Sequence, residues 1–168
     1  MQHIQSFAPI EDADAKILIL GSMPGEASLR AGQYYAHPRN LFWHIMGELL
    51  GTGTVSPYVQ RVQALKSARI ALWDVLRSCR RKGSLDSSID NDSLVPNDFA
   101  AFFLHHPKIT HVFFNGTKAE TCYRKQMRPF IDIGHIEYQR LPSTSPANAS
   151  ISSERKLEAW RVITECLT

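Results

Sequence analysis

The sequence predicts an α/β fold: three α/β/α layers with a central, mainly parallel four-stranded sheet. Three observations carry that prediction. Short, continuous apolar runs end at turn residues, segments of helical spacing lie between the runs, and the stretches just after the runs are rich in Gly, Pro, Asn and Ser. Runs that are apolar throughout suit strands buried on both faces, the usual condition of a parallel sheet covered by helices.

The first strand is Lys16-Ile17-Leu18-Ile19-Leu20, closed by Gly21. From Asn40 to Leu50, the residues Phe42, Ile45, Met46, Leu49 and Leu50 recur at helical spacing, and Gly51 ends the helix. Ser56-Pro57 reads as an N-cap and first-turn proline for a helix with Val59, Val62 and Leu65 on one face. Arg69 to Trp73 is the second strand, and the polar segment from Asp74 to Asp92 reads as a long loop, of a length that usually carries function or disorder. Pro96 to Leu104 suits a short helix, His111 to Phe114 the third strand, and Thr117 to Arg128 a helix entered from Asn115-Gly116. Ile136 to Leu141 forms the fourth strand. A closing helix begins at Ser152 or Ser153, with Leu157, Trp160, Ile163 and Leu167 along its apolar stripe.

The chain of 168 residues, 43% of them hydrophobic, is expected to form a single domain over 1–168. No run approaches the roughly 18 to 20 apolar residues of a membrane span, and MQHIQSFAPIEDADAK is too polar for a secretory signal, so a cytoplasmic protein is expected. Cys79, Cys122 and Cys166 show no metal spacing and the histidines no HxxxH pair, so neither a metal nor a cofactor is expected. A net charge of +3 permits nucleic-acid binding without requiring it. Two basic clusters, Arg77, Arg80, Arg81 and Lys82, and then Lys118, Arg124, Lys125 and Arg128, are solvated faces or phosphate contacts.

In such sheets ligands bind at the carboxyl ends of the strands. That rule gathers GSMPG (21–25), the segment from Asp74, Asn115-Gly116 and Pro142 to Ser150 on one rim. GSMPG lacks the Lys-Ser/Thr of a phosphate loop, the third glycine of a dinucleotide fingerprint and the spacing of a serine-hydrolase elbow. What remains is a tight turn whose main-chain N–H groups can approach a ligand. Tyr34 and Tyr35 either pack on the sheet or offer a ring for stacking on a base. Asn40 either caps a helix after Pro38 or holds a water or sugar. The hydroxyls and prolines of LPSTSPANAS suit a stiff loop that approaches phosphate oxygens.

Taken together, GSMPG, AHPRNLFW, a strand ending in Trp73-Asp74, FFNGTKAE and LPSTSPANA, in that order over about residues 17 to 150, resemble the uracil-DNA glycosylase superfamily. They are most similar to its hypoxanthine (deoxyinosine) DNA glycosylase branch. The resemblance implies a monomeric, monofunctional glycosylase that acts on DNA containing deaminated bases, chiefly deoxyinosine, with deoxyuridine or a mismatched base as the rival. It implies a base pocket from Ser22, Met23, Pro24, Gly25, Tyr35, Trp73, Asp74 and Asn115, in which Tyr35 stacks on the extruded base and Asp74 accepts N1–H of hypoxanthine. In the mismatch-specific branch an asparagine before the loop proline positions the attacking water. Met23 stands there, and in the hypoxanthine branch the task passes to the asparagine of the HPxN stretch, Asn40. Ser143, Thr144, Ser145, Pro146, Ala147 and Asn148 correspond to the loop that enters the minor groove, with Arg80 and Arg81 as further DNA contacts. Ser143 stands where relatives carry His or Asn, and Ala147 where some carry a large wedge. Two other readings of the rim are a binding module that has lost catalysis, and a small-molecule hydrolase in which Ser22 or Ser143 would need a paired histidine.

Overall fold

The computed structural model describes residues 1–53, 56–127 and 134–168. In chain order the elements are β1 (Gln2–Gln5), β2 (Ile17–Gly21), α1 (Glu26–Ala31), α2 (Phe42–Leu50), α3 (Tyr58–Ser67), β3 (Ile70–Asp74), β4 (Leu76–Arg81), β5 (Val95–Pro96), α4 (Phe99–His105), β6 (His111–Asn115), α5 (Thr117–Met127), β7 (Glu137–Leu141), α6 (Ser153–Trp160) and α7 (Val162–Leu167).

The central sheet runs β3-β2-β6-β7 and is parallel throughout. Successive side chains leave a strand on opposite faces, and the core divides accordingly. Leu18, Leu20, Ala71, Val112 and Phe114 pack with Phe99, Phe103 and Tyr123 on one side. Ile17, Ile19, Ile70, Leu72 and Phe113 pack with Phe42, Ile45, Leu65 and Trp160 on the other. The four strands end in register: Gly21 lies opposite Asp74, Leu20 opposite Phe114, and Asn115 opposite Leu141. The rim expected from the loops is therefore a physical edge of the sheet.

Several expectations are corrected. The segment from Asp74 is not all loop, because β4 pairs antiparallel with β1 and β5 in a second, three-stranded sheet. Its charges conceal a strand whose Leu76, Ser78, Cys79 and Arg81 are buried. α1 was not expected. Pro57 rather than Ser56 holds the N-cap position of α3, and Ser56 instead donates to the Thr52 carbonyl. Pro96 lies in β5, and α4 starts later, where Asp98 accepts from the Ala101 N–H. The closing helix begins at Ser153, with Ser152 capping the Arg155 N–H, but breaks into two pieces at Arg161. Arg128 lies outside the described residues. Among the described residues no helix is long and apolar enough to cross a membrane.

Candidate active site

A cleft of about 950 Å³ opens where the central strands end. Its floor is Gly21. A Cβ on Gly21 would sit 2.5 Å from Asp74 Oδ1 and 2.7 Å from Tyr35 Oη, so glycine is what lets a carboxyl and a phenol converge there. Gly21→Ala is expected to displace both groups, lowering the melting temperature and closing the cleft to ligand. An unchanged melting temperature by calorimetry would contradict this packing.

Asp74, at the end of β3, is 3% exposed, and its Oδ2 has no hydrogen-bond partner among the described residues. Burial pushes its carboxyl up to about 7, Asp86 adds to the rise, and Arg81 opposes it. The Tyr35 hydroxyl is likewise buried and unpartnered, and burial, reinforced by Asp74, raises its pKa. Two polar groups without protein partners at the base of a cavity leave hydrogen-bonding capacity for whatever enters.

Tyr35 reaches this point through an unusual backbone, with φ of 53°. Its ring stacks on Phe42 at 4.3 Å between centroids and 29° between planes. Tyr34 is held differently: its hydroxyl donates to the Ala8 carbonyl at 2.9 Å, and its own carbonyl accepts from Trp43 Nε1 at 2.7 Å. Phe42 and Trp43 are buried, as their helical spacing implies.

Asn40 lines the same cleft, and its Oδ1 accepts the Phe42 N–H at 3.0 Å. That bond fixes the amide's orientation, since only the oxygen can face a donor. Nδ2 then has no protein acceptor among the described residues, so the side chain closes a turn just ahead of α2, whose N-cap position is Leu41, and still offers a donor to the cavity.

The GSMPG loop is held by a part of the chain that sequence patterns passed over. Ser22 Oγ donates to Asp86 Oδ1 at 2.6 Å, and the Glu26 N–H donates to Ser84 Oγ at 2.9 Å. Burial raises the Asp86 pKa, while the Ser22 bond, Arg81 and Lys118 draw it down. Met23 and Pro24 are buried and line the cleft with Gly25. Ser84, Leu85 and Asp86 form part of the opposing wall. No spacing rule links Ser22 to a residue 64 positions away, and the only available signal was the length of the polar segment.

Arg81, expected to contact DNA, is 2% exposed. Its Nε donates to the Gly83 carbonyl at 2.7 Å and Nη2 to the Pro24 carbonyl at 2.5 Å, so it braces the loop from behind. Arg80 points the other way along β4, lies outside the cleft and pairs with Asp90 at 2.5 Å. Trp73 is also turned from the cleft by strand alternation. It packs on Phe99 and Phe102, and its Nε1 donates to the Phe7 carbonyl at 3.1 Å.

Asn115 faces the cleft but is engaged with the last rim loop. Its Nδ2 donates to Thr144 Oγ1 at 3.0 Å, and its Oδ1 accepts the Thr144 N–H at 2.9 Å. Thr144 is completely buried, and its carbonyl accepts the Leu41 N–H, so it ties β6, this loop and the Asn40 segment together instead of facing outward. Gly116, with φ of 95°, gives Ser143 room: a Cβ there would lie 3.0 Å from the serine's own. Ser143 Oγ accepts the Ser145 N–H, Ser145 Oγ accepts the Ala147 N–H, and Asn148 donates to the Ser143 carbonyl. Such internal bonds make the loop stiff, with Pro146 and an exposed Ala147 at its turn. Lys118 and Arg140 complete the rim, Lys118 Nζ donating to Asn91 Oδ1 at 2.8 Å.

Comparison with known proteins places the chain in a family. A profile of the Uracil DNA glycosylase superfamily covers residues 8–164. A hypoxanthine DNA glycosylase of Methanosarcina barkeri is 37% identical over 153 residues, 90% of this chain and 92% of that protein. One from Methanosarcina acetivorans is 36% identical over 160 residues, 95% of this chain and 96% of its own. The solution NMR structure of a Methanosarcina acetivorans protein proposed to be a uracil DNA glycosylase superposes with a TM-score of 0.81 at 34% identity, covering 99% of this chain and 100% of that one. Sequence motifs, fold and relatives agree, and the chain belongs to the uracil DNA glycosylase superfamily.

Proposed function

We propose that the chain is a monofunctional DNA glycosylase that hydrolyses the N-glycosidic bond of deoxyinosine and leaves an abasic site. In this reading it works as a single-domain monomer in the cytoplasm, without a metal or cofactor. The observation that carries the reading is the unpartnered, buried carboxyl of Asp74 beside the unpartnered hydroxyl of Tyr35.

Deamination replaces a ring nitrogen and its neighbouring amino group by a lactam, an N–H beside a C=O. A neutral carboxyl is complementary to that edge: its carbonyl accepts N1–H of hypoxanthine and its O–H donates to O6. Adenine presents an acceptor and a donor in reversed places, which a carboxyl meets only with its proton on the other oxygen, so discrimination rests on which Asp74 oxygen holds the proton in the folded pocket. With its carboxyl held up to about 7, Asp74 keeps its proton in about half of the molecules at neutral pH and in most of them below it. This sharpens the expectation of a carboxylate that only accepts.

The base cannot be reached while stacked in a duplex, so it flips into the cleft at a cost of a few kcal/mol, least when mispaired. There it lies against the Tyr35 ring, whose other face is supported by Phe42. Main-chain N–H groups of Ser22, Met23 and Gly25 stabilise negative charge growing on the departing base. Asn40 orients a water toward the electron-poor sugar carbon, its contribution being position, since an amide is a feeble base. Met23 contributes only apolar wall. The stiff loop of Ser143, Ser145, Pro146, Ala147 and Asn148 follows the strand's backbone.

Oligonucleotides carrying one inosine, uracil, xanthine or mismatched thymine test the proposal, with alkali revealing abasic sites. Product is expected from inosine, and the strand is expected to stay intact until alkali is added. Product from uracil alone would reassign the substrate, since uracil shares the lactam edge. No product from any would leave a binding module.

A further inference from the structure

A second cleft of about 210 Å³ adjoins the first, sharing Tyr34, Tyr35, His37 and Asn40 with it and lined also by Gln33, His44 and Arg61. No carboxylate is among its lining residues. The Arg61 guanidinium lies 5.1 Å from the Trp43 ring centroid and 5.7 Å from that of Tyr58, which holds it in place. Its Nε is buried with no hydrogen-bond partner, and Arg61 makes no ion pair among the described residues. His37 Nδ1 accepts the Arg39 N–H at 3.1 Å, which puts the proton of the neutral ring on Nε2 and makes that atom a donor as well.

A half-buried guanidinium with an orphaned N–H and no counter-ion lacks an anion with several acceptor oxygens. We propose that this cleft binds a phosphate group of the DNA strand carrying the lesion, with Arg61 as its principal ligand. The inference rests on the glycosylase reading above. The shared wall explains why the site stands where it does: Tyr35 and Asn40 face the flipped nucleoside on one side, and a phosphate of a neighbouring nucleotide is gripped on the other. Clamping that phosphate holds the strand on the enzyme without touching the base, so the contact carries affinity, not sequence.

Arg61→Met keeps an apolar stem against Trp43 and Tyr58 while removing the charge. The measurement is affinity for inosine-containing duplex between 50 and 300 mM salt, made beside the single-turnover excision rate at saturating enzyme. Loss of one phosphate contact should reduce the slope of log K against log salt by about 0.9, and lower affinity several-fold at low salt. The saturated rate should stay within about twofold. Arg61→Lys, which restores charge but not the fork, should recover the slope and only part of the affinity. A wild-type slope in Arg61→Met, or a collapsed excision rate with unchanged binding, would overturn the proposal. Should Arg61→Met fail to fold, His44→Ala on the exposed face of α2 replaces it, with weakened DNA binding expected and unchanged binding contradicting. Inorganic phosphate separates the two sources of the anion. Weak competition with DNA, beyond an equal ionic strength of chloride, is expected for wild type and not for Arg61→Met. Tight phosphate binding that leaves DNA affinity untouched would mark a free-anion site and contradict the assignment. If the wild type released no base, the glycosylase reading would fail, whereas failure of this site alone leaves release intact.

Discussion

Asn40→Ala is expected to slow single-turnover release of hypoxanthine by about 10²- to 10³-fold, the cost of removing one preorganised group from a reacting centre. Binding to inosine-containing DNA should be retained, because the groups read as holding the base are Asp74, Tyr35 and the GSMPG main chain. The substitution also removes a turn bond: Asn40 Oδ1 accepts the Phe42 N–H, and losing a hydrogen bond of this kind costs about 0.5 to 1.5 kcal/mol of stability. Asn40→Ser separates the two effects. A serine hydroxyl can still accept from the start of α2, so stability should recover to near wild type while excision remains slow. If Asn40→Ser restored the rate with the stability, Asn40 would be a turn former and nothing more.

Asp74→Asn has the second large effect, and it is one of pH. The folded protein holds this carboxyl up to about 7 against an ordinary 3.8, mainly through burial. Between those values the native state keeps a proton that the unfolded chain has released, so this group's contribution to stability is complete below about pH 4 and is lost as pH rises through about 7. An amide cannot ionise. Asp74→Asn should therefore leave stability near pH 4 little changed and raise it by about 2 to 4 kcal/mol at pH 8, measured by denaturant unfolding. Activity should separate as well. In the wild type kcat/KM should fall above about pH 7, as the carboxyl loses the proton it donates to O6. The variant keeps a carbonyl and an N–H on that edge, so its profile should be flat through the same range. An identical inflection in both proteins would remove Asp74 from base recognition.

How much of this was legible in the sequence depends on whether local pattern or long-range contact decides a residue's place. β2, β3 and β6 announce themselves as short, mostly apolar runs, and Gly21, Asp74 and Asn115 follow because turn residues mark where those runs stop, whereas β7 (EYQRL) is a mostly polar edge strand. β4 was hidden, since Arg77, Arg80 and Arg81 read as a solvated loop until β1 pairs with it and buries alternate residues. The same alternation reverses expectations at single positions. Trp73 and Asp74 are neighbours in sequence, yet only Asp74 meets the cleft, and Arg80 and Arg81 divide in the same manner. Asn40 could be read as a cap or as a site residue because it has two functional ends, and the geometry engages one while leaving the other open. Asp86 and Arg61 lay beyond sequence reasoning. The first is defined by Ser22, far along the chain, and the second by aromatic rings on two helices beside a cleft whose lining holds no carboxylate.

The most direct measurement is chromatographic detection of free base after one turnover on a duplex with a single inosine, using excess protein. The expected result is one equivalent of free hypoxanthine for each abasic site, with the sugar-phosphate backbone unbroken and release abolished or strongly slowed in Asn40→Ala. Inosine that remains in the strand after prolonged incubation with well-folded protein would contradict the assignment of this cleft to hypoxanthine excision.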